Sequence, residues 1–220
     1  MAKQALVIGL GRFGVSVARA FVARGVEVLA ADIDANRVQA AADAVTEAVV
    51  LDATNADSLG QLAPDRRDLC LCAVGDDSIR ASILCTALLR EMGGKRVVAR
   101  ASDPLHARIL HCVGAHEVVD PLRDFGARFA THLLHDNVLG ELPLGPELVI
   151  TEMRPIPSMI GQTLIDLNLP RRAGITVVAV RTGDAKVTLP EPQRPLAETD
   201  VLIVVSRPEA VGILIDGGKK

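Results

Sequence analysis

The stretch Leu6-Val7-Ile8-Gly9-Leu10-Gly11-Arg12-Phe13-Gly14 decides the fold. An unbroken apolar segment, Ala5 to Ile8, runs directly into a GxGxxG string, and Phe13, Val17 and Phe21 then recur at helical spacing. A buried strand that turns on glycines into a helix opens a strand-crossover-strand unit. Further apolar runs at Val28 to Ala31, Ala48 to Leu51, Leu69 to Val74, Val97 to Ala99 and Val118 to Val119 read as strands buried on both faces. Segments between them, such as Ile79, Ile83 and Ala87, have helical spacing. Helices on both sides are how a parallel sheet hides two apolar faces, so residues 1–120 are predicted to form an α/β, doubly wound parallel sheet.

From Pro121 the pattern changes. Leu122, Phe125, Phe129, Leu133 and Val138 approximate one helical stripe, with Pro121 suited to the first turn. Such a stripe can pack on its own domain or cross to a second subunit, and patterning alone does not choose. Leu142-Pro143-Leu144-Gly145-Pro146 is a Pro/Gly-rich break and the expected domain boundary, which makes 121–145 a helix and linker. In 146–220, Leu148 to Met153, Ile175 to Val180, Lys186 to Leu189 and Val201 to Val205 read as strands, with short helices near Gly161 to Leu167 and Pro208 to Ile215. This is a small α+β module, and Pro190, Pro192 and Pro195 make the stretch before its last strand a loop.

The composition narrows the function. With 24 Lys+Arg against 27 Asp+Glu the net charge is −3, and there is no Trp or Tyr and only four Phe. Neither a phosphate-neutralising surface nor a base-stacking platform is available, which argues against nucleic acid as a partner. No apolar run approaches the roughly 18 residues of a membrane span, and the opening Met1-Ala2-Lys3-Gln4 has no signal-peptide pattern, so a cytoplasmic location is expected. Cys70, Cys72, Cys85 and Cys112 form no CxxC pair and read as reduced core residues. There is no HExxH or GxSxG motif, and His132 and His135 read as a solvated helix side, not a metal pair. The segment after Pro146 contains no His or Cys, so no catalytic constellation is visible and an enzyme is not expected.

The glycine loop carries the chemistry. Gly9 allows the tight turn, Gly11 lets the backbone approach a phosphate, Gly14 permits close packing of helix on strand, and free N–H groups at the helix start attract anions. Asp32, eighteen residues past Gly14, ends the second strand, where a carboxylate accepts from ribose hydroxyls and disfavours a 2′-phosphate. The competing structural reading is that the glycines only make a turn and Asp32 only caps the helix beginning near Ala35. Asp52 ends the third strand, Gly75-Asp76-Asp77 follows the fourth and Arg100 leaves the fifth, all at the carboxyl edge where ligands of open parallel sheets bind. Asp76 or Asp77 can equally be an ordinary helix cap, and Arg100 a solvated strand end.

The opening stretch, together with Leu29-Ala30-Ala31-Asp32-Ile33-Asp34, resembles the RCK (regulator of potassium conductance) domains of the Trk/Ktr potassium-uptake regulators. Leu51-Asp52-Ala53-Thr54, Ala73-Val74-Gly75, Leu105 to Leu110 and Gly114-Ala115 extend the resemblance, and Leu164-Ile165-Asp166-Leu167-Asn168-Leu169 looks like the opening of the family's C-terminal subdomain. Arg12-Phe13 inside the glycine loop is the more specific part, because dehydrogenases share only the glycines. The resemblance implies a Rossmann-like sheet, a crossover helix and an RCK C-terminal subdomain. It also implies an effector, ATP, ADP or NAD(H), with a homodimer assembling into an octameric ring on an integral-membrane potassium transporter, at the inner face of the membrane.

Carried over residue by residue, the resemblance implies that Gly9, Gly11 and Gly14 hold the phosphates and that Arg12, beside Phe13, contacts phosphates at the dimer interface. Asp32, followed by Ile33 and Asp34, meets the ribose, Asp52 and Ala53 flank the adenine, and Gly75 and Arg100 close the pocket. Phe125, Phe129 and Leu133 become intersubunit contacts. The chain departs from the family at two places. Many members have a Pro-Glu pair that joins nucleotide and divalent cation to the neighbour, where this chain has Pro121-Leu122 with Asp120 and Asp124 close by. Some relatives bind cyclic di-AMP in the C-terminal subdomain; Leu164 and Ile165 match, but Pro170 stands at an expected Arg, beside Arg171. The glycine fingerprint and Asp32 also fit an NAD-dependent oxidoreductase or an NADH/NAD redox sensor.

Overall fold

A computed structural model describes residues 2–75, 78–145, 147–183 and 186–217. Asp76 and Asp77 lie outside the described residues. The chain divides into two compact units, Met1–Pro121 and Leu122–Lys220.

The first unit alternates strands and helices: β1 (Gln4–Ile8), α1 (Arg12–Val22), β2 (Glu27–Asp32), α2 (Ala35–Ala41), β3 (Glu47–Val50), α3 (Ala56–Gly60), β4 (Leu69–Cys72), α4 (Ile79–Glu91), β5 (Val97–Arg100), α5 (Pro104–Cys112) and β6 (Glu117–Val119). The strands lie in the order β3-β2-β1-β4-β5-β6, all parallel. Alternate residues of β1 serve opposite faces. Leu6 and Ile8 join Leu29, Leu59, Leu89 and Leu110 in one apolar cluster, while Ala5 and Val7 join Val28, Ala30 and Leu71 in another. This two-sided burial is why the strands read as unbroken apolar runs, each fully buried Leu or Val contributing about 2 kcal/mol. Strand order reverses between β1 and β4, so a crevice opens at their carboxyl ends, where Ile8 is paired with both Ala31 and Cys72.

The helix α6 (Pro121–Leu134) begins at the division between the units and has no buried residue. Leu122, Phe125, Phe129 and Leu133 are all exposed, and the Phe125 and Phe129 rings stack with centroids 5.3 Å apart. The second unit continues with β7 (Val138–Pro143), β8 (Val149–Met153), α7 (Leu164–Leu167), α8 (Leu169–Ala173), β9 (Thr176–Arg181), β10 (Val187–Thr188), β11 (Val201–Ser206) and α9 (Ala210–Gly217). Its sheet runs β10-β9-β11-β8-β7 and is antiparallel throughout, over a core that includes Met153, Met159, Ile175 and Leu202. Among the described residues no helix is long and apolar enough to cross a membrane.

Three local readings of the sequence need correction. Val138 does not continue the helical stripe: α6 stops at Leu134, and Val138 opens a strand that buries it in the second core at 1% exposure. Pro143 is tolerated there because β7 is an edge strand. Cys70, Cys72 and Cys85 are buried as expected, and burial pushes the Cys70 thiol up to about 11, but Cys112 at the end of α5 is exposed. The reading of His132 and His135 as one solvated helix side holds only for His132, which is exposed on α6. His135 lies beyond the helix, half-buried with its ring beside Gly212, and His132 Nδ1 is 2.6 Å from the Val138 carbonyl oxygen.

Candidate functional site

The three glycines of the loop differ in what the fold asks of them. Gly9 has φ +95°, and a Cβ there would lie 2.8 Å from the Val74 amide nitrogen. A Cβ on Gly14 would collide with the Gly9 carbonyl oxygen. Gly11, by contrast, has ordinary extended backbone (φ −68°, ψ −179°), and a Cβ would meet nothing within 4 Å. The fold therefore requires glycine at 9 and 14 but not at 11, where the missing side chain leaves open space over the start of α1.

That helix start has no cap of its own. Among the described residues no side chain accepts from the first turn of α1, which also carries no acidic residue. The other four described α-helices of the unit are each closed by a side-chain oxygen. Asp34 accepts from Asn36 N at 2.8 Å, Asn55 from Ser58 N at 2.9 Å, Ser78 from Ala81 N at 3.2 Å and Asp103 from His106 N at 2.8 Å. The unclosed N–H groups and the positive end of the helix dipole form an arrangement that can hold an anion.

Asp32, 6% exposed, sits beside this site and is already engaged. Its Oδ2 accepts from Leu10 N at 2.6 Å and its Oδ1 from Asp34 N at 2.9 Å. The cap of α2 is Asp34, so the capping alternative for Asp32 is set aside; Asp32 fastens the glycine loop to the end of β2. Each carboxylate oxygen keeps a second lone pair, so acceptor capacity remains for a hydroxyl. Arg37 extends over the pair, 3.8 Å from Asp32 Oδ2 and 3.6 Å from Asp34 Oδ2. Ile33, between the two acids, is 69% exposed.

At the other side of the switch point, the Arg100 guanidinium carbon lies 5.9 Å from the centre of the Phe13 ring. A Cβ on Gly75 would come 2.9 Å from Arg100 Nη1. The structure thus brings Phe13, Gly75 and Arg100 together. Asp52 stands two residues beyond β3 in a turn of its own, with Oδ1 accepting from Thr54 Oγ1 at 2.7 Å and Thr54 N at 2.9 Å. Those bonds, the hydroxyl's first, hold its carboxyl below the ordinary 3.8. Ala53 is buried in the adjoining apolar cluster. Arg12 lines a cleft of about 500 Å³ beside the loop together with Arg19 and Arg37. Sequence reasoning missed those last two, although Arg19 follows Arg12 by seven residues on one helix face.

Leu164 and Ile165 lie on α7, which is closed by a capping box between Thr163 and Asp166, and Pro170 and Arg171 lie on α8. Asp120 is buried and Asp124 stands in the first turn of α6. Among the described residues no three His, Cys, Asp or Glu side chains gather where they could hold a metal.

Family models match almost the entire chain, the TrkA-N domain over residues 5–121 and the TrkA-C domain over 148–213. The chain belongs to the TrkA family. Among its TrkA relatives are the Ktr system potassium uptake protein A of Vibrio alginolyticus, 38% identical over 92% of both chains, and the Ktr system potassium uptake protein C of Bacillus subtilis, 36% identical over 93% of this chain and 92% of that one. Solved structures agree on the fold. The GsuK RCK domain superposes with a TM-score of 0.65 at 17% identity, over 98% of this chain and 47% of that one. The TrkA-N domain of the inner membrane protein ybaL from Escherichia coli gives a TM-score of 0.54 at 18% identity, over 61% of this chain and 98% of that one. The Rossmann-like first unit and the RCK architecture read from the sequence are therefore confirmed.

Proposed function

We propose that this TrkA-family protein is a cytoplasmic, nucleotide-sensing regulatory subunit of a potassium uptake system. The observation that carries the reading is its similarity, at 33–38% identity over 92–93% of the chain, to three Ktr system potassium uptake proteins. The uncapped start of α1, with open space over Gly11, supports the nucleotide part. In this reading residues 1–120 bind an adenine nucleotide, ATP/ADP or NAD(H), the helix α6 of 121–145 joins subunits, and 146–220, with β7 added to their sheet, form the RCK C-terminal subdomain. The N–H groups from Gly11 to Gly14 receive the diphosphate, with Gly9 shaping the turn. Asp32 accepts a ribose hydroxyl while holding the loop through Leu10. Asp52 and Ala53 border the adenine, and Arg100, seated over Phe13 and Gly75, closes the far side.

The function is binding, not turnover. A ligand shifts a two-state assembly only by its difference in affinity for the two states, and a tenfold difference is worth about 1.4 kcal/mol per site. Several coupled sites in a ring sharpen that bias. The bare apolar stripe of α6 supports its crossing to a second subunit, and we assign the ring an octameric form on an integral-membrane potassium transporter.

The test is calorimetric titration with ATP, ADP, NAD and NADH, each repeated with magnesium and with calcium. Binding of ATP and ADP with different heats is the expected result. Binding confined to NAD or NADH would shift the assignment to a redox sensor or dehydrogenase, and no binding at all would remove the nucleotide. For the subunit contact, Phe129→Asp should reduce the particle to monomers in light scattering; an unchanged mass would return α6 to packing within its own chain.

A further inference from the structure

A cavity of about 770 Å³ lies wholly within the second unit, along one side of α9. That volume is in the range of small-molecule sites. Its floor is made by Ile156, Met159, Leu167 and Leu169, none more than 5% exposed. On the α9 wall Ile213 faces the same space yet is 68% exposed, so an apolar surface stands open to water.

Two arginines border this apolar space, Arg172 at the end of α8 and Arg207 just before α9. Neither side chain has an ion pair or hydrogen bond among the described residues. Two other arginines of the unit are paired, Arg181 with Glu152 at 2.9 Å and Arg194 with Asp200 at 2.6 Å. The acid on the lining, Glu209, directly precedes the first residue of α9, where the helix dipole favours a carboxylate. The cavity thus joins a dry floor to two uncompensated guanidinium groups, whose planar forks suit a pair of oxygens of a carboxylate or a phosphate. Leu164, Ile165, Pro170 and Arg171 do not line it, so it is separate from the surface that the family resemblance associates with cyclic di-AMP.

We propose that this cavity is a binding site for a free amphipathic organic anion, an apolar body of acyl-chain type with one carboxylate or phosphate head held by Arg172 and Arg207. An inorganic anion would leave the floor unused, and a neutral hydrocarbon would leave the arginines unpaired. The site makes no use of the nucleotide crevice, so the inference stands apart from the nucleotide reading.

The experiment is calorimetric titration of the full chain with hexanoate, octanoate, acetate and 1-octanol. Octanoate should bind at one site per chain, about fourfold tighter than hexanoate for each added CH₂, as the ~0.8 kcal/mol of a buried CH₂ requires. Acetate and 1-octanol should each bind at least tenfold more weakly than octanoate. The double variant Arg172→Gln/Arg207→Gln should lose at least tenfold in octanoate affinity at an unchanged melting temperature, and Arg207→Lys should restore part of the loss. Ile213→Asn, at an exposed position, should weaken octanoate without affecting acetate. Absence of octanoate binding, equal binding of 1-octanol, or full binding by the double variant would overturn the proposal. Capture on phosphatidylglycerol vesicles that octanoate displaces would overturn the free ligand in favour of a membrane headgroup.

Discussion

The starts of α1 and α5 occupy equivalent places, each following a parallel strand at the carboxyl edge of the same sheet. Each leaves its first four N–H groups without partners inside the helix. At α5 the chain supplies the remedy: Asp103 accepts from His106 N, and Pro104 has no N–H to satisfy. At α1 the corresponding residue is Gly11, which offers no oxygen. Where a chain closes its own helix start, the turn is finished. Where it withholds the side chain and the backbone does not need glycine, the donors keep no side-chain partner among the described residues. The glycines of the loop carry the same lesson, two being fixed by contacts within the protein and one by none.

The largest effect that could break this contrast concerns Gly14. Its added Cβ has to displace the Gly9 carbonyl, so Gly14→Ala should cost about 3 kcal/mol or more, read as a lower melting temperature. A variant melting with the parent would mean that the loop yields easily and the steric distinction fails. Gly11→Ala comes next. It should melt within about 0.5 kcal/mol of the parent, yet bind ADP at least tenfold more weakly, a loss of about 1.4 kcal/mol. Undiminished ADP binding would show that the open space over α1 is not where phosphates lie. Asp103→Ala reverses the pattern: it should lose about 1 kcal/mol of stability and leave ADP affinity alone. Lost affinity there would erase the difference between a finished helix start and an unfinished one.

The sequence makes this contrast visible only in part. Strands buried on two faces leave unbroken apolar runs, so β1 to β6 and the turns after them stand out, and GxGxxG marks one of those turns as different. The second unit is harder to read. Val138 falls near a helical stripe, and the break at Leu142-Pro143 looks like a linker, yet both belong to an edge strand. Spacing held the clue, because Phe125, Phe129 and Leu133 are four apart while Val138 is five beyond Leu133. In the site, Asp32 is legible by position but its partners are not. The donor at Leu10 is a backbone N–H that no residue type announces. It follows that Asp32→Ala does more than remove a ribose acceptor: it orphans two N–H groups, at about 1–3 kcal/mol for each one that stays buried. Asp32→Asn, which keeps one carbonyl oxygen, is the cleaner probe of the ribose contact.

Asp52 sharpens the comparison through the smallest effect. It stands after β3 at the same edge, and its carboxylate is drawn into its own turn by the Thr54 hydroxyl and amide, which hold its pKa below 3.8. A carboxyl lowered in the folded state adds stability above its unfolded pKa, and that stability is lost as pH falls through the folded value. Thr54→Val removes the hydroxyl donor, the larger cause, and keeps the amide. The variant's Asp52 should therefore titrate at higher pH than the parent's, and the small stability difference at neutral pH should close in acid. Carboxyl ¹³C NMR reads the titration and urea unfolding at neutral and acid pH reads the stability difference; coincident titration curves would show that the hydroxyl bond does not hold the group. Repeating the titration with ADP then asks whether Asp52 resembles Asp103 or Gly11. An unmoved curve makes it a turn residue complete in itself, and a displaced one puts its carboxylate beside the adenine.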